Sequence, residues 1–237
     1  MARMFSDAHA HPADVAVPYS DYTDAVRVLG CSSRMSEWAG LRDLADARVM
    51  RFYGVHPWHA GEWSGEARAA LRSYLENDPA AGVGEIGLDA KRGDPSVQIA
   101  AFREQMEIAA EMGRPVQIHN VGCEKQVLDM LRDIRPGIPV IMHSFSSESY
   151  AGPFLDLGCM LSVNPRILAR SDRRVERLLD SIPGDALLLE SDAPYSPRGF
   201  AGMSWFADRL SEATGASPEH LLELSAMNAE RTVGWRA

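Results

Sequence analysis

The sequence predicts an α/β fold, a TIM-type (β/α)8 barrel formed as a single domain over residues 1–237. Three observations predict it. Short apolar runs, often β-branched, recur along the chain and end near His9, Cys31, His56, Glu85, His119, His143, Val163 and Glu190. The gaps between these ends, about 20 to 34 residues, suit a strand, a loop and a helix each. The length, 237 residues and 26.0 kDa, lies at the upper end of what one domain can be.

Two helices carry explicit signals. One begins at Asp94-Pro95, a capping residue followed by proline in the first helical position. It runs through an apolar stripe of Phe102, Met106 and Ala109 and stops at Gly113. The other begins at Ser217-Pro218, with Leu221, Leu224 and Ala226-Met227 as its expected buried side. A doubly wound open sheet is the alternative architecture. In sequential order it would hold the first and eighth strands roughly 34 Å apart, at about 4.8 Å per strand. Closing the sheet brings all strand ends around one mouth, which the candidate residues below require.

Composition narrows the function. Hydrophobic residues at 46% and charged residues at 24% are ordinary for a globular chain and exclude a disordered or fibrous one. No apolar run approaches the roughly 18 residues of a membrane span. The start, Met1-Ala2-Arg3-Met4-Phe5-Ser6-Asp7, has no secretory pattern. Three widely spaced cysteines, Cys31, Cys123 and Cys159, read as reduced thiols, so the expected location is the cytoplasm. The net charge of −9 argues against a broad nucleic-acid footprint but leaves room for one local anion site. Of the 24 basic residues 22 are arginine, a skew of genomic composition rather than function. No interface stripe is evident, and a monomer is expected.

The residues that can do chemistry fall at the strand ends. In Asp7-Ala8-His9-Ala10-His11 the alternate side chains share one strand face, so two imidazoles converge and Asp7 can orient them. A pair of hydrogen-bonded loop histidines is the plain alternative. Glu85 lies in Gly82-Val83-Gly84-Glu85-Ile86-Gly87-Leu88-Asp89, where a carboxylate on an apolar strand needs a partner. It suits a bridge between two cations, with Asp89 behind it; pairing of both with arginines is the other reading. His119 ends Pro115-Val116-Gln117-Ile118 and His143 ends Pro139-Val140-Ile141-Met142, equivalent positions in consecutive units. Asp192 and Glu190 have the i, i+2 relation of the two first histidines, so one can ligate while the other anchors. His56, in Gly54-Val55-His56-Pro57-Trp58-His59, is expected to support the site or touch substrate, with His59 in the solvated loop. Trp58, Trp63 and Trp205 fit core or substrate equally.

Together His9, His11, Glu85, His119, His143 and Asp192 make a ligand set for two divalent ions about 3.5–4 Å apart. Mixed imidazole and carboxylate donors suit Zn, Mn, Ni or weakly held Mg. No lysine stands at a strand end to form a carbamylated bridge, which leaves that task to Glu85. Two dications and two carboxylates sum to about +2, a centre suited to an anionic substrate or a charge-accumulating transition state.

The segments Asp7-x-His9-x-His11, Gly54-x-His56-Pro57-Trp58, Gly84-Glu85-Ile86-Gly87-Leu88-Asp89, Pro115-Val116-x-Ile118-His119, His143-Ser144-Phe145-Ser146 and Glu190-Ser191-Asp192-Ala193-Pro194 resemble the TatD family of metal-dependent hydrolases. They stand in the family's order over residues 7 to 194, and Asn228-Ala229 resembles its last helix. The resemblance implies a TIM-barrel hydrolase of the metal-dependent deoxyribonuclease kind, cleaving phosphodiesters of DNA or another anionic substrate. Carried over by residue, His9, His11 and Asp192 would hold one metal, His119 and His143 the other, and Glu85 would bridge. A metal-bound hydroxide would be the nucleophile, with Asp192 orienting or deprotonating the water. Two departures bear on substrate grip. Val121 stands where the family's nucleases usually carry an arginine, and the loop Tyr195-Ser196-Pro197-Arg198-Gly199-Phe200 is short and lacks their Asn-x-Pro element. Arg198 is a candidate phosphate contact, or a surface arginine in a turn. The alternatives to phosphodiester cleavage are hydrolysis of an amide, lactone or other carbonyl substrate, and a non-catalytic binding component; six convergent polar groups weigh against the last.

Overall fold

In a computed structural model of the chain, eight parallel strands pair in sequence order around a barrel. They are β1 (Phe5–Ala10), β2 (Ala25–Cys31), β3 (Val49–Tyr53), β4 (Gly82–Asp89), β5 (Val116–Val121), β6 (Val140–Met142), β7 (Met160–Val163) and β8 (Leu187–Leu189). The structure describes residues 5–13 and 25–234; Met1–Met4, part of the start read for a leader, lie outside them. Each strand from β2 to β7 is followed by one α-helix: α1 (Trp38–Asp43), α2 (Gly65–Asn77), α3 (Pro95–Glu111), α4 (Glu124–Ile134), α5 (Glu148–Leu155) and α6 (Asp172–Asp180). After β8 come two, α7 (Met203–Thr214) and α8 (Pro218–Val233). No described helix is long and apolar enough to cross a membrane.

The sheet closes rather than staying open. Ala10 bridges Ala193 in parallel, the His11 N–H donates to the Ala193 carbonyl at 2.7 Å, and the Asp192 N–H donates to the His9 carbonyl at 3.0 Å. Helix α8 packs over this seam against both β1 and β8. Buried Leu29, Cys31, Met50, Phe52, Ile141, Met160 and Leu188 form one contact cluster from strands on opposite sides of the ring, so they meet through its interior. Two residues beyond Ile141 stands His143, and two beyond Leu188 stands Glu190. The period of two therefore carries the same inward face from apolar filling to polar mouth.

The expected helix ends are found. Asp94 Oδ1 accepts the Ser96 N–H at 2.8 Å with Pro95 in the first turn, and Phe102, Met106 and Ala109 are buried. The α8 face differs from expectation. Leu221, Leu222, Ser225, Asn228 and Ala229 are buried, whereas Leu224 and Ala226 are half-buried and Met227 is 67% exposed. The reason is polar: Asn228 Nδ2 donates to the carbonyls of Gly184 and Leu187 at 2.7 and 2.8 Å, and Ser225 Oγ accepts the Leu189 N–H at 2.7 Å. Those bonds set the rotation of α8 about its axis. A second difference concerns the strands: Glu85 and His119 lie inside β4 and β5, which continue to Asp89 and Val121. A register shift between Val83 and Ile86 interrupts the pairing there. At Gly87, with φ of +142°, a Cβ would meet the His119 carbonyl oxygen at 2.0 Å, so only glycine permits this approach of β4 to β5.

Replacing Asn228 by alanine leaves two carbonyls without their donor and should destabilise the fold by about 1–3 kcal/mol. Met227→Ala should stay within about 0.5 kcal/mol of the parent. Urea unfolding of both variants checks this, and equal losses would contradict the observed orientation of α8.

Candidate metal centre

Five strands deliver seven polar side chains to one end of the barrel, and all seven are buried: His9, His11, Glu85, His119, His143, Glu190 and Asp192. Their placement follows from the inward face just described. β1 supplies His9, with His11 one residue past its end; β4 supplies Glu85 and β5 His119. His143 follows β6 directly, and Glu190 and Asp192 follow β8.

Glu85 sits at the middle. Its Oε2 lies 3.5 Å from His9 Nε2 and 3.2 Å from His11 Nε2. Its Oε1 lies 2.8 Å from His119 Nδ1, 3.6 Å from His143 Nε2 and 3.5 Å from His56 Nε2. The two carboxylate oxygens thus face two separate groups of imidazoles. Asp192 Oδ1 stands 4.0 Å from His11 Nε2, on the Oε2 side. His9 and His143 stack face to face, ring centres 3.6 Å apart, and join the two groups.

Each imidazole is aimed by a further residue. His9 Nδ1 is 2.6 Å from Gln117 Oε1, His11 Nδ1 is 3.3 Å from Ser33 Oγ, and His143 Nδ1 is 2.7 Å from Glu190 Oε1. His119 Nε2 is 3.3 Å from Asp89 Oδ2, which also accepts the Trp58 indole N–H at 2.6 Å. His56 Nδ1 accepts the Trp58 backbone N–H, which assigns its proton to Nε2, the nitrogen facing Glu85. Asp7 works on the backbone: its Oδ1 accepts the N–H groups of His9 and Ser191, at 3.3 and 2.8 Å, and so joins β1 to the segment after β8.

The electrostatics follow from this crowding. Burial opposes charge on Glu85, yet His56, His143, His11 and His119 hold its carboxyl well below the usual range. Burial also opposes charge on His119, but Asp89 and Glu85 on either side raise it to about 9. For His56 burial prevails over Glu85 and lowers it to about 4, leaving the ring neutral at pH 7. Glu190 is held below its ordinary value by His143 against the opposing effect of burial.

The donor set fits a divalent cation. A tetrahedral ion with metal–nitrogen distances of 2.0–2.1 Å places its ligands about 3.3 Å apart. His9 Nε2, His11 Nε2 and Glu85 Oε2 are separated by 3.1, 3.2 and 3.5 Å. Two imidazole nitrogens 3.1 Å apart cannot both carry a proton without their hydrogens colliding, whereas one cation satisfies both lone pairs. Among the described residues, three triads have ligand atoms close enough to share an ion: His9, His11 and Asp192; His9, Glu85 and His143; and His56, Glu85 and His119.

The expected residues are thus brought together, with one exception. Arg198 makes its contact with Trp205, its guanidinium 4.9 Å from the ring, rather than with the cluster. His59 is half-buried against Arg34, Trp63 donates to Glu104, and Trp58 is exposed at the mouth. Sequence reasoning misses four residues, one of them Ser33, whose Oγ lies 3.3 Å from His11 Nδ1. Gln117 aims His9 from two positions before His119. Asn164 Nδ2 donates to Ser144 Oγ at 2.9 Å and Glu190 Oε1 at 3.2 Å, and reaches Asp192 Oδ2 at 3.5 Å. Arg166 Nη2 pairs with Asp192 Oδ2 at 2.9 Å. The available signal was Asn164-Pro165-Arg166, a polar triplet directly after the seventh strand. The three cysteines are unpaired, and burial holds the Cys31 thiol up at about 11 beside His9.

A family model described as TatD related DNase matches residues 6–234. An uncharacterized metal-dependent hydrolase TatD of Mycobacterium tuberculosis is 30% identical over 218 residues, which cover 85% of this chain and 80% of that protein. A 3'-5' ssDNA/RNA exonuclease TatD of Erwinia billingiae is 36% identical over 147 residues, 60% of this chain. The matched part spans just over half of that exonuclease, 56% of its length. Among solved structures, a TatD homologue from Escherichia coli superposes with a TM-score of 0.87 at 22% identity, covering 100% of both chains. A TatD family hydrolase from Entamoeba histolytica gives 0.81 at 16%, covering 98% of each. These two likenesses bear on the fold alone.

Gln117→Leu should weaken binding of Mn²⁺ or Zn²⁺ roughly ten- to hundredfold, because it frees the His9 ring that it now aims. Calorimetric titration of metal-stripped protein measures this, and an unchanged affinity would show that His9 needs no such support.

Proposed function

This chain belongs to the TatD related DNase family, and on that premise we propose that it hydrolyses phosphodiester bonds of nucleic acid with two divalent ions held on either side of Glu85. It is a metal-dependent hydrolase by family. The single observation that carries the two-ion reading is the division of labour at Glu85, whose Oε2 faces His9 and His11 while Oε1 faces His119 and His143. In this reading His9, His11 and Asp192 would hold one ion, His119 and His143 the other, and Glu85 would serve both. Zn, Mn, Mg and Ni all suit such ligands.

When bound, the ions polarise a phosphoryl oxygen and lower the pKa of water. The protein's own residues do the rest. Asp192 orients the attacking water and accepts its proton, its carboxylate being buried and fixed at Oδ2 by Arg166 and Asn164. His56, neutral, presents its Nε2–H to Glu85 Oε1 and limits that oxygen's freedom. Glu190, Asp89 and Gln117 hold the imidazoles of His143, His119 and His9 in place. The substrate is anionic and is gripped locally at the mouth of an acidic chain, in keeping with the relatives named 3'-5' ssDNA/RNA exonuclease. The enzyme works in this reading as a cytoplasmic monomer.

The test is hydrolysis of bis(p-nitrophenyl) phosphate by stripped protein and by protein reloaded with Mg²⁺, Mn²⁺ or Zn²⁺. Turnover should require metal, and Asp192→Asn should reduce it by about 10²–10⁴ while leaving the thermal transition in place. Absence of turnover with every metal would overturn the phosphodiesterase reading and direct attention to carbonyl substrates.

A further inference from the structure

The mouth of the barrel has several arginines, and their contacts distinguish them. Arg198 lies over Trp205 and Arg92 over Trp58, the latter at 3.8 Å. Arg170 donates to the Ser146 carbonyl at 2.7 Å, and Arg34 is engaged with His59 and Glu37. Among the described residues, Arg166 is the one lysine or arginine whose side chain contacts a carboxylate of the metal cluster.

Its position is built. Asn164 caps the short turn Pro165–Ala169, its Oδ1 accepting the Arg166 backbone N–H at 3.1 Å, while its Nδ2 reaches Ser144, Glu190 and Asp192. The backbone of Arg166 is thus tied to the ends of three strands. Arg166 Nη2 then contacts Asp192 Oδ2 at 2.9 Å and the Tyr195 carbonyl at 3.2 Å. Both contacts use the same nitrogen. The Arg166 side chain is 52% exposed where that of Asp192 is 4% exposed, so the guanidinium stands at the boundary between cluster and solvent. Nε and Nη1 have no acceptor among the described residues. A guanidinium is planar and permanently charged, so its Nη1 can donate to a phosphoryl oxygen while Nη2 stays engaged.

We propose that Arg166 is the substrate-gripping cation of this enzyme: Nη2 holds Asp192 while Nη1 donates to a non-bridging oxygen of the phosphodiester. The grip then comes from the end of β7, whereas β5 has Val121, a side chain that offers no charge. One guanidinium would couple recognition of the anion to the orientation of the residue that accepts the proton. The inference rests on the phosphodiesterase reading, and its test separates the two.

Mn²⁺-loaded parent, Arg166→Lys and Arg166→Gln are compared for metal content, for equilibrium binding of inorganic phosphate by calorimetry, and for kcat and KM on bis(p-nitrophenyl) phosphate. Arg166→Gln should weaken phosphate binding roughly tenfold or more, raise KM in the same proportion, and keep its metal. Arg166→Lys should recover part of the affinity, since it restores the charge without the fork. Phosphate bound equally by parent and Arg166→Gln would overturn the inference, as would loss of metal from that variant, which marks a structural role, or a parent that binds no phosphate. If the parent binds phosphate through Arg166 but turns over no phosphodiester, the anion grip stands and the phosphodiesterase reading falls.

Discussion

A carboxylate removed from water must be met by positive charge or by donors, and Glu85 is removed from water in the middle of a barrel. Both of its oxygens are surrounded by imidazole nitrogens drawn from β1, β5 and the turn after β6. Most of the polar architecture answers to that one group. Asp89 and Glu85 beside His119 favour its charged form, and the imidazoles around Glu85 favour its carboxylate. A divalent cation would complement the carboxylate and engage several of these donors at once. The same crowding that makes the cluster costly to bury without cations makes it selective for them.

Closure of the sheet is the second condition. Asp192 stands beside His11 only because the segment after β8 hydrogen-bonds to β1, through Ala193 to His11 and His9 to Asp192. Asp7 reinforces that seam by accepting N–H groups from both sides, and α8 covers it from outside through Asn228 and Ser225. Residues outside the cluster, such as Asn228, therefore matter to the site by holding its two halves in register.

Much of this could be read before folding. The period of two placed His9 and His11 on one face, the apolar runs marked the barrel strands, and a ring architecture was needed for the first and eighth strand ends to meet. The features that escaped reading share a physical cause: they depend on pairs distant in sequence. Gln117 looks like a strand residue until its amide is seen 2.6 Å from His9, 108 positions away. Asn164 and Arg166 gain meaning only from Glu190 and Asp192 across the β7–β8 gap. The apolar pattern of α8 misplaces its buried side because two polar side chains, Asn228 and Ser225, fix its rotation. Arg198 stacks on Trp205, a contact that its position along the chain does not announce.

The central claim is that Glu85 joins two ions. Crystals soaked in Mn²⁺ or Zn²⁺ and measured at the metal's absorption edge test it directly. Two anomalous peaks are expected about 3.5–4 Å apart, one beside Oε2 with His9 and His11, the other beside Oε1 with His119 and His143. A single peak, or two peaks that do not share Glu85, would contradict it.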